Sequence, residues 1–237
     1  MIPKVIHYCW FGGKQYPRLV KKCIRSWIKL LPDYTIKCWN EESFDIDSAP
    51  IYVREAFKMK KYAFVSDYVR LYVLYNEGGI YLDTDVEILK DFTSLLNGDV
   101  VLGYESASKI STAFIASAPK SIWIGDLLNK YMHRNFIKSD GTLDLTTNVS
   151  FISDELRSNG INLNGGYFRN SFIELYPQEY FSPRNWEDGK YSITSNTYAI
   201  HYFQGSWHSL LTKILSIFFT NATVYKIAGF KERLFRG

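Results

Sequence analysis

Residues 4–10 form an apolar run closed by Gly12-Gly13, the pattern of a buried strand. Leu19, Val20, Cys23, Ile24 and Trp27 then recur at helical spacing across residues 17–30, and residues 34–39 read as a second strand. Strand, helix, strand in this order predicts an α/β domain on a parallel sheet. Residues 60–77 are apolar nearly all round, which predicts a buried helix rather than a surface one, and Gly78-Gly79 ends it. Ile80-Tyr81-Leu82 is a short apolar strand that leads directly into Asp83-Thr84-Asp85. Further strands are expected at 99–104, 112–116, 172–175 and 198–203, and helices at 122–134 and 147–157. No repeat or low-complexity linker divides the chain. The expectation is one α/β domain over residues 1–207 with a mostly parallel central sheet.

Composition supports a packed domain. The 237 residues are 46% hydrophobic and 17% aromatic, ample material for a core and the opposite of a disordered chain. The net charge of +4 comes from 28 basic and 24 acidic residues with no like-charge block before the C-terminal end, so nucleic acid is not the implied partner. The 18 tyrosines and 6 tryptophans supply faces on which sugars stack, although tyrosine is also an ordinary half-buried strand residue. Cys9, Cys23 and Cys38 form no paired spacing, so neither a disulfide framework nor a zinc site is expected. Met1 runs directly into the first strand without a signal-peptide pattern, and a cytoplasmic location is expected. In that setting the two N-x-S/T triplets, at Asn148 and Asn221, are chance matches.

The chemistry concentrates after the third strand. Side chains alternate along extended backbone, so Asp83 and Asp85 project to one side, past the carboxyl end of an apolar strand, where open α/β sheets bind ligands. Two adjacent carboxylates repel, and a divalent cation relieves the conflict; all-oxygen ligation suits Mg²⁺ or Mn²⁺. Two aspartates separated by one residue are common and are usually a solvated turn. Here the preceding helix also places Asp67 and Arg70 three residues apart, on one face, among almost no other polar residues. A buried ion pair adds little net stability over an apolar replacement, which favours a functional pair gripping sugar hydroxyls over a purely structural one.

The stretch Ala63-Phe64-Val65-Ser66-Asp67-Tyr68-Val69-Arg70, followed by Tyr75-Asn76-Glu77-Gly78-Gly79-Ile80-Tyr81-Leu82-Asp83-Thr84-Asp85, closely resembles the DXD sugar-transferase region of glycosyltransferase family 32. That family includes yeast mannosyltransferases and bacterial capsule and O-antigen enzymes, and it is related to the clostridial glucosylating toxins. The segments from Ile2 to Trp10 and from His201 to Trp207 resemble its opening strand and closing motif. The resemblance implies a GT-A fold, a nucleotide-diphosphate sugar donor, Mn²⁺ or Mg²⁺, and retention of anomeric configuration. It also implies roles for individual residues. Asp85 binds the metal directly, and Asp83 contacts the ribose and reaches the metal through water. Asp67 and Arg70 hold donor-sugar hydroxyls, with Tyr81 nearby. The backbone of Ile6 and His7 and the ring of Trp10 line the base pocket. His201 is the late metal ligand, and Ser206 and Trp207 close over the diphosphate. Without the motif, a lone histidine such as His201 or His7 is more often a satisfied core residue.

No carboxylate in the sequence stands out as a nucleophile, and the resemblance to retaining GT-A enzymes implies a front-face displacement, in which the departing phosphate receives the acceptor proton. A UDP-hexose donor is expected first and GDP-mannose second, with a glycan or lipid-linked oligosaccharide of a capsule or O-antigen as acceptor. Two other classes remain open: a metal-dependent nucleotidyltransferase or phosphohydrolase, and a non-catalytic nucleotide-sugar binding module. Within residues 208–237 an apolar band from Leu210 to Phe219 is interrupted by Lys213, and Lys226, Lys231, Arg233 and Arg236 follow it. That pattern suits a terminal helix packed on the body, or an amphipathic one peripheral to the inner face of the plasma membrane.

Overall fold

A computed structural model describes residues 1–185 and 188–204. Ser206, Trp207 and the expected C-terminal segment 208–237 lie outside the described residues. Strand β1 (Val5–Cys9) is followed by helix α1 (Arg18–Leu30), β2 (Thr35–Trp39), α2 (Ile51–Lys58), α3 (Tyr62–Glu77) and β3 (Gly79–Leu82). Then come β4 (Val86–Ile88), β5 (Val100–Ser106), β6 (Lys109–Ser117), α4 (Ile122–Tyr131), α5 (Asn148–Ser158), β7 (Phe168–Arg169), β8 (Ile173–Tyr176), α6 (Gln178–Phe181) and β9 (Ala199–His201).

Seven of these strands form one sheet in the order β2-β1-β3-β6-β5-β8-β7. β1 runs parallel to β2 and β3, and β5 runs parallel to β8, while β6 and the edge strand β7 run against their neighbours. Five strands therefore share one direction, the mostly parallel α/β sheet that the sequence predicts. The carboxyl ends of β1, β2, β3 and β5 lie along one edge.

Alternation along the strands builds two cores. Ile6, Tyr8, Ile80, Leu82, Val101 and Phe114 pack toward α1, β4 and α6. Tyr81, Val100, Leu102, Tyr104 and Ile115 face α2, α3, α4 and α5. Helix α1 seats Val20, Cys23 and Trp27 against the first core, and Trp27 Nε1 donates to the Val86 carbonyl at 2.7 Å. Helix α3 buries eight residues, as its all-round apolar pattern requires. No described helix is long and apolar enough to cross a membrane.

Four of these elements are absent from the sequence reading, the two-residue edge strand β7 among them. Helix α2 is only two turns long, with Tyr52, Val53 and Ala56 buried, too short for periodicity to declare itself. Strand β4 follows the Asp83-Thr84-Asp85 turn and pairs with β9, forming a two-stranded ribbon apart from the main sheet. Helix α6 is a single turn. The predicted 198–203 strand contracts to β9, and its chain then bends at Phe203, whose φ is +50°.

The passage from α3 to β3 depends on glycine. Gly78 and Gly79 adopt φ of +67° and +100°, and a Cβ on Gly79 would stand 2.5 Å from the Val5 carbonyl oxygen, within the β1–β3 contact. Gly79→Ala should therefore cost roughly 3 kcal/mol of stability through backbone strain plus collision. A urea midpoint lowered accordingly checks this; a midpoint equal to wild type would show that the β1–β3 contact yields freely.

Candidate functional site

Asp83 and Asp85 sit where the sheet ends. Asp83 N–H donates to the Ala113 carbonyl at 2.9 Å, one last bond along the β3–β6 ladder, and Val86 N–H then donates to the Asp83 carbonyl at 3.0 Å. The second bond closes a turn over Thr84 and Asp85. Asp83 and Asp85 are thus brought together by this turn, where the sequence reading invoked strand alternation. The turn feeds β4, and the pairing of Val86 with His201 carries the histidine to the same place. One potential ligand atom from each of Asp83, Asp85 and His201 lies within 4.8 Å of the other two.

The segment after β9 is fastened to this turn. Asp85 accepts from Tyr202 N–H at 3.0 Å through its carbonyl and from Gln204 N–H at 2.8 Å through Oδ2. His201 Nε2 stands 3.3 Å from Asp85 Oδ1. Burial alone would lower the His201 pKa, but the charges of Asp85, Asp83 and Glu105 outweigh it and raise the pKa above its ordinary value. Burial would likewise raise the Asp85 carboxyl, yet His201 and the Gln204 amide hold it low. His201 Nδ1 is buried without a hydrogen-bond partner among the described residues. Two carboxylates and an imidazole fit a divalent cation, and the pair of aspartates biases the set toward Mn²⁺ or Mg²⁺ rather than a soft metal.

Arg70 links this turn to α3. Its Nη2 is 2.8 Å from Asp67 Oδ1 and 3.5 Å from Asp83 Oδ1, and its Nη1 donates to the Thr112 carbonyl at 2.6 Å. The guanidinium carbon lies 4.6 Å from the Tyr81 ring centre, and Tyr81 Oη donates to Asp83 Oδ1 at 3.1 Å. The arginine is 5% exposed, so the expected buried pair exists and is extended to a third residue. Burial pushes the Asp67 carboxyl up to about 6, against the pull of Arg70. Behind Asp67, the Asn148 amide Nδ2 donates to the Asp67 carbonyl at 3.1 Å, and Thr147 caps α5 by accepting from Ser150 N–H.

The other expected residues are placed as follows. Ile6 is fully buried in the core beneath β3. His7 is fully buried as well, with Nε2 2.9 Å from the Gly78 carbonyl and Nδ1 accepting from Trp39 Nε1 at 3.1 Å. Both bonds together assign its proton to Nε2, and the side chain ties β1 to β2 and to the α3–β3 turn. Trp10 is half-buried at the carboxyl end of β1, where it lines a cleft with Lys14, Tyr16, Asn40 and Glu41. Sequence reasoning passed over Glu105, at the end of β5, whose carboxyl is pushed up to about 7 by burial and by the negative charge of Asp83, against the pull of His201. It also took Asn148 only as a chance glycosylation triplet. Neither has a local signal, because each reaches the site through pairing with distant parts of the chain.

Comparison with known proteins agrees with this geometry. Residues 17–102 match the family model described as the glycosyltransferase sugar-binding region containing the DXD motif. Inositol phosphoceramide mannosyltransferase 3 of Schizosaccharomyces pombe is 34% identical over 113 residues, 46% of this chain and 32% of that protein. The chain thus matches only about a third of the length of that relative. An uncharacterised glycosyltransferase of Acanthamoeba polyphaga mimivirus is 26% identical across 93% of this chain and 89% of its own. Among solved structures, the PaToxG glycosyltransferase superposes with a TM-score of 0.46 at 24% identity, over 54% of this chain and 58% of that one. The matched region thus sets its DXD turn at the carboxyl edge of an α/β sheet, beside the Asp67–Arg70 pair, and over residues 17–102 the chain is similar to the sugar-binding region of DXD-containing glycosyltransferases.

Proposed function

We propose that this protein is a retaining, metal-dependent glycosyltransferase that moves a hexose from a nucleoside-diphosphate sugar to a glycan or glycolipid acceptor. The observation that carries the reading is the meeting of Asp83, Asp85 and His201 beside the buried Asp67–Arg70–Asp83 chain of charges. Asp83, Asp85 and His201 would hold Mn²⁺ or Mg²⁺, which when bound supplies Lewis-acid neutralisation of the departing diphosphate. Asp67 and Arg70 orient the sugar: the carboxylate accepts from hydroxyls, and the guanidinium, fixed by Thr112 and Tyr81, keeps that carboxylate ionised and aimed. The backbone around Ile6 and His7 and the ring of Trp10 bound the nucleoside side along β1, while Ser206 and Trp207 act at the diphosphate.

The reading places transfer on the front face of the sugar, with the acceptor proton passing to the departing phosphate oxygen. Mannosyl transfer gains weight from the fission yeast relative, which is named for mannose and for a phosphoceramide lipid. GDP-mannose therefore stands beside UDP-hexose as donor, and a lipid-borne acceptor in surface-glycan synthesis suits both. The competing binding-module and nucleotidyltransferase readings differ in product: the first releases none, and the second releases pyrophosphate or couples a nucleotide.

Release of nucleoside diphosphate from a panel of UDP-hexoses and GDP-mannose, with Mn²⁺ present, tests the proposal. Wild type should release UDP or GDP, and Asp85→Asn should lower kcat by roughly 10²–10³. Absence of release with every donor, or wild-type turnover by Asp85→Asn, would defeat it. Arg70→Lys keeps the charge but loses the planar fork, so it should reduce kcat/KM by at least ~10-fold while preserving the far-ultraviolet circular dichroism. Unchanged kinetics would reduce the Arg70 pair to a structural role.

A further inference from the structure

Helix α1 carries Arg18, Lys21, Lys22, Arg25 and Lys29 and no acidic residue. At about 100° per residue, these five cations fall within an arc of about 100°, and they run along about 17 Å of the helix. The arc lies opposite the face that buries Val20, Cys23 and Trp27, and all five residues are exposed. The other long helices mix signs: α2 has Arg54 with Glu55, α3 has Arg70 with Asp67, α4 has Lys130 with Asp126, and α5 has Arg157 with Asp154 and Glu155. A solvated helix face usually interleaves charges in that way, so α1 is the exception among the described helices.

Only Lys22 has a carboxylate partner, Glu87 at 2.7 Å, among the described residues. Arg18, Lys21, Arg25 and Lys29 form no ion pair there. Ile28, 58% exposed, flanks the stripe beside Lys21 and Arg25 as an apolar contact on an otherwise cationic surface. The helix also starts at the sheet edge that carries the site, and Lys22 reaches Glu87 two residues after Asp85 and the Tyr202 hydroxyl at 3.0 Å.

We propose that the exposed face of α1 docks the protein on an anionic lipid surface, with Arg18, Lys21, Arg25 and Lys29 meeting the headgroups and Ile28 entering the interface. A row of unpaired cations matches a leaflet of negative headgroups in charge, and its length spans several of them. The contact sets the sheet's carboxyl edge near the bilayer, within reach of an acceptor carried on lipid. It is independent of the residues assigned to donor and metal.

Co-sedimentation of the full chain with phosphatidylcholine vesicles, with and without phosphatidylglycerol, tests this. Wild type should bind only the anionic vesicles, and raised ionic strength should release it. Each cation near such a surface contributes about fivefold in affinity, so the Arg18→Gln/Lys21→Gln/Arg25→Gln/Lys29→Gln variant should bind several hundredfold more weakly. Its melting temperature and nucleoside-diphosphate release should match wild type, since none of the four contacts the site. Wild type that fails to bind anionic vesicles would overturn the proposal, as would a variant that binds them as wild type does. Loss of nucleotide release by wild type would instead tell against the glycosyltransferase reading and leave the docking result standing.

Discussion

One guanidinium, held in the interior, organises the site. Arg70 faces Asp67 on its own helix and Asp83 on the neighbouring strand end, and it is anchored by the Thr112 carbonyl across the sheet. Removing a charge of this kind from water costs several kcal/mol, which attraction recovers only when the geometry is fixed and the remaining donors are satisfied. The fold meets that condition with packed parts: a largely buried α3, the Gly78-Gly79 turn and the β3–β6 ladder. Asp67 and Asp83, to which the proposal gives the sugar and the metal, are therefore linked through one guanidinium.

That network is electrically incomplete. Asp67, Asp83 and Asp85 bring three carboxylates together against Arg70 and a histidine whose Nε2 stands 3.3 Å from Asp85 Oδ1. Glu105 adds a fourth carboxyl whose raised pKa records burial and the surrounding negative charge. A divalent cation with a diphosphate is the natural completion: the metal offsets the aspartates, and the diphosphate in turn offsets the metal. His201 Nδ1, the ring nitrogen that does not face Asp85, is buried without a hydrogen-bond partner among the described residues.

The sequence made much of this legible because its strongest signals are local. The all-round apolar α3, the paired glycines and the aspartates after Ile80-Tyr81-Leu82 can each be read within a few residues, and the Asp67–Arg70 pair follows from helical spacing. What escaped is what the chain assembles at a distance. His201 is named by the resemblance alone; its meeting with Asp85 depends on the pairing of β4 with β9, and β4, a three-residue strand after a turn, has too little pattern to announce itself. The aspartates converge through a turn for the same reason: the Val86–Asp83 hydrogen bond overrides the extended backbone that alternation assumes. Glu105 and Asn148 join from β5 and α5, where neither hydrophobic period nor motif distinguishes a site residue from a surface one.

The most direct test of an incomplete charge set is the melting temperature of the apo protein titrated with Mn²⁺ in the presence of UDP or GDP. A ligand at about 100 times its dissociation constant stabilises the folded state by about 2.7 kcal/mol, enough for a rise of several degrees. The account predicts that rise in wild type, dependent on both cation and nucleotide, and its loss in Asp85→Asn. A melting temperature indifferent to Mn²⁺ with either nucleotide, or an equal rise in Asp85→Asn, would contradict it.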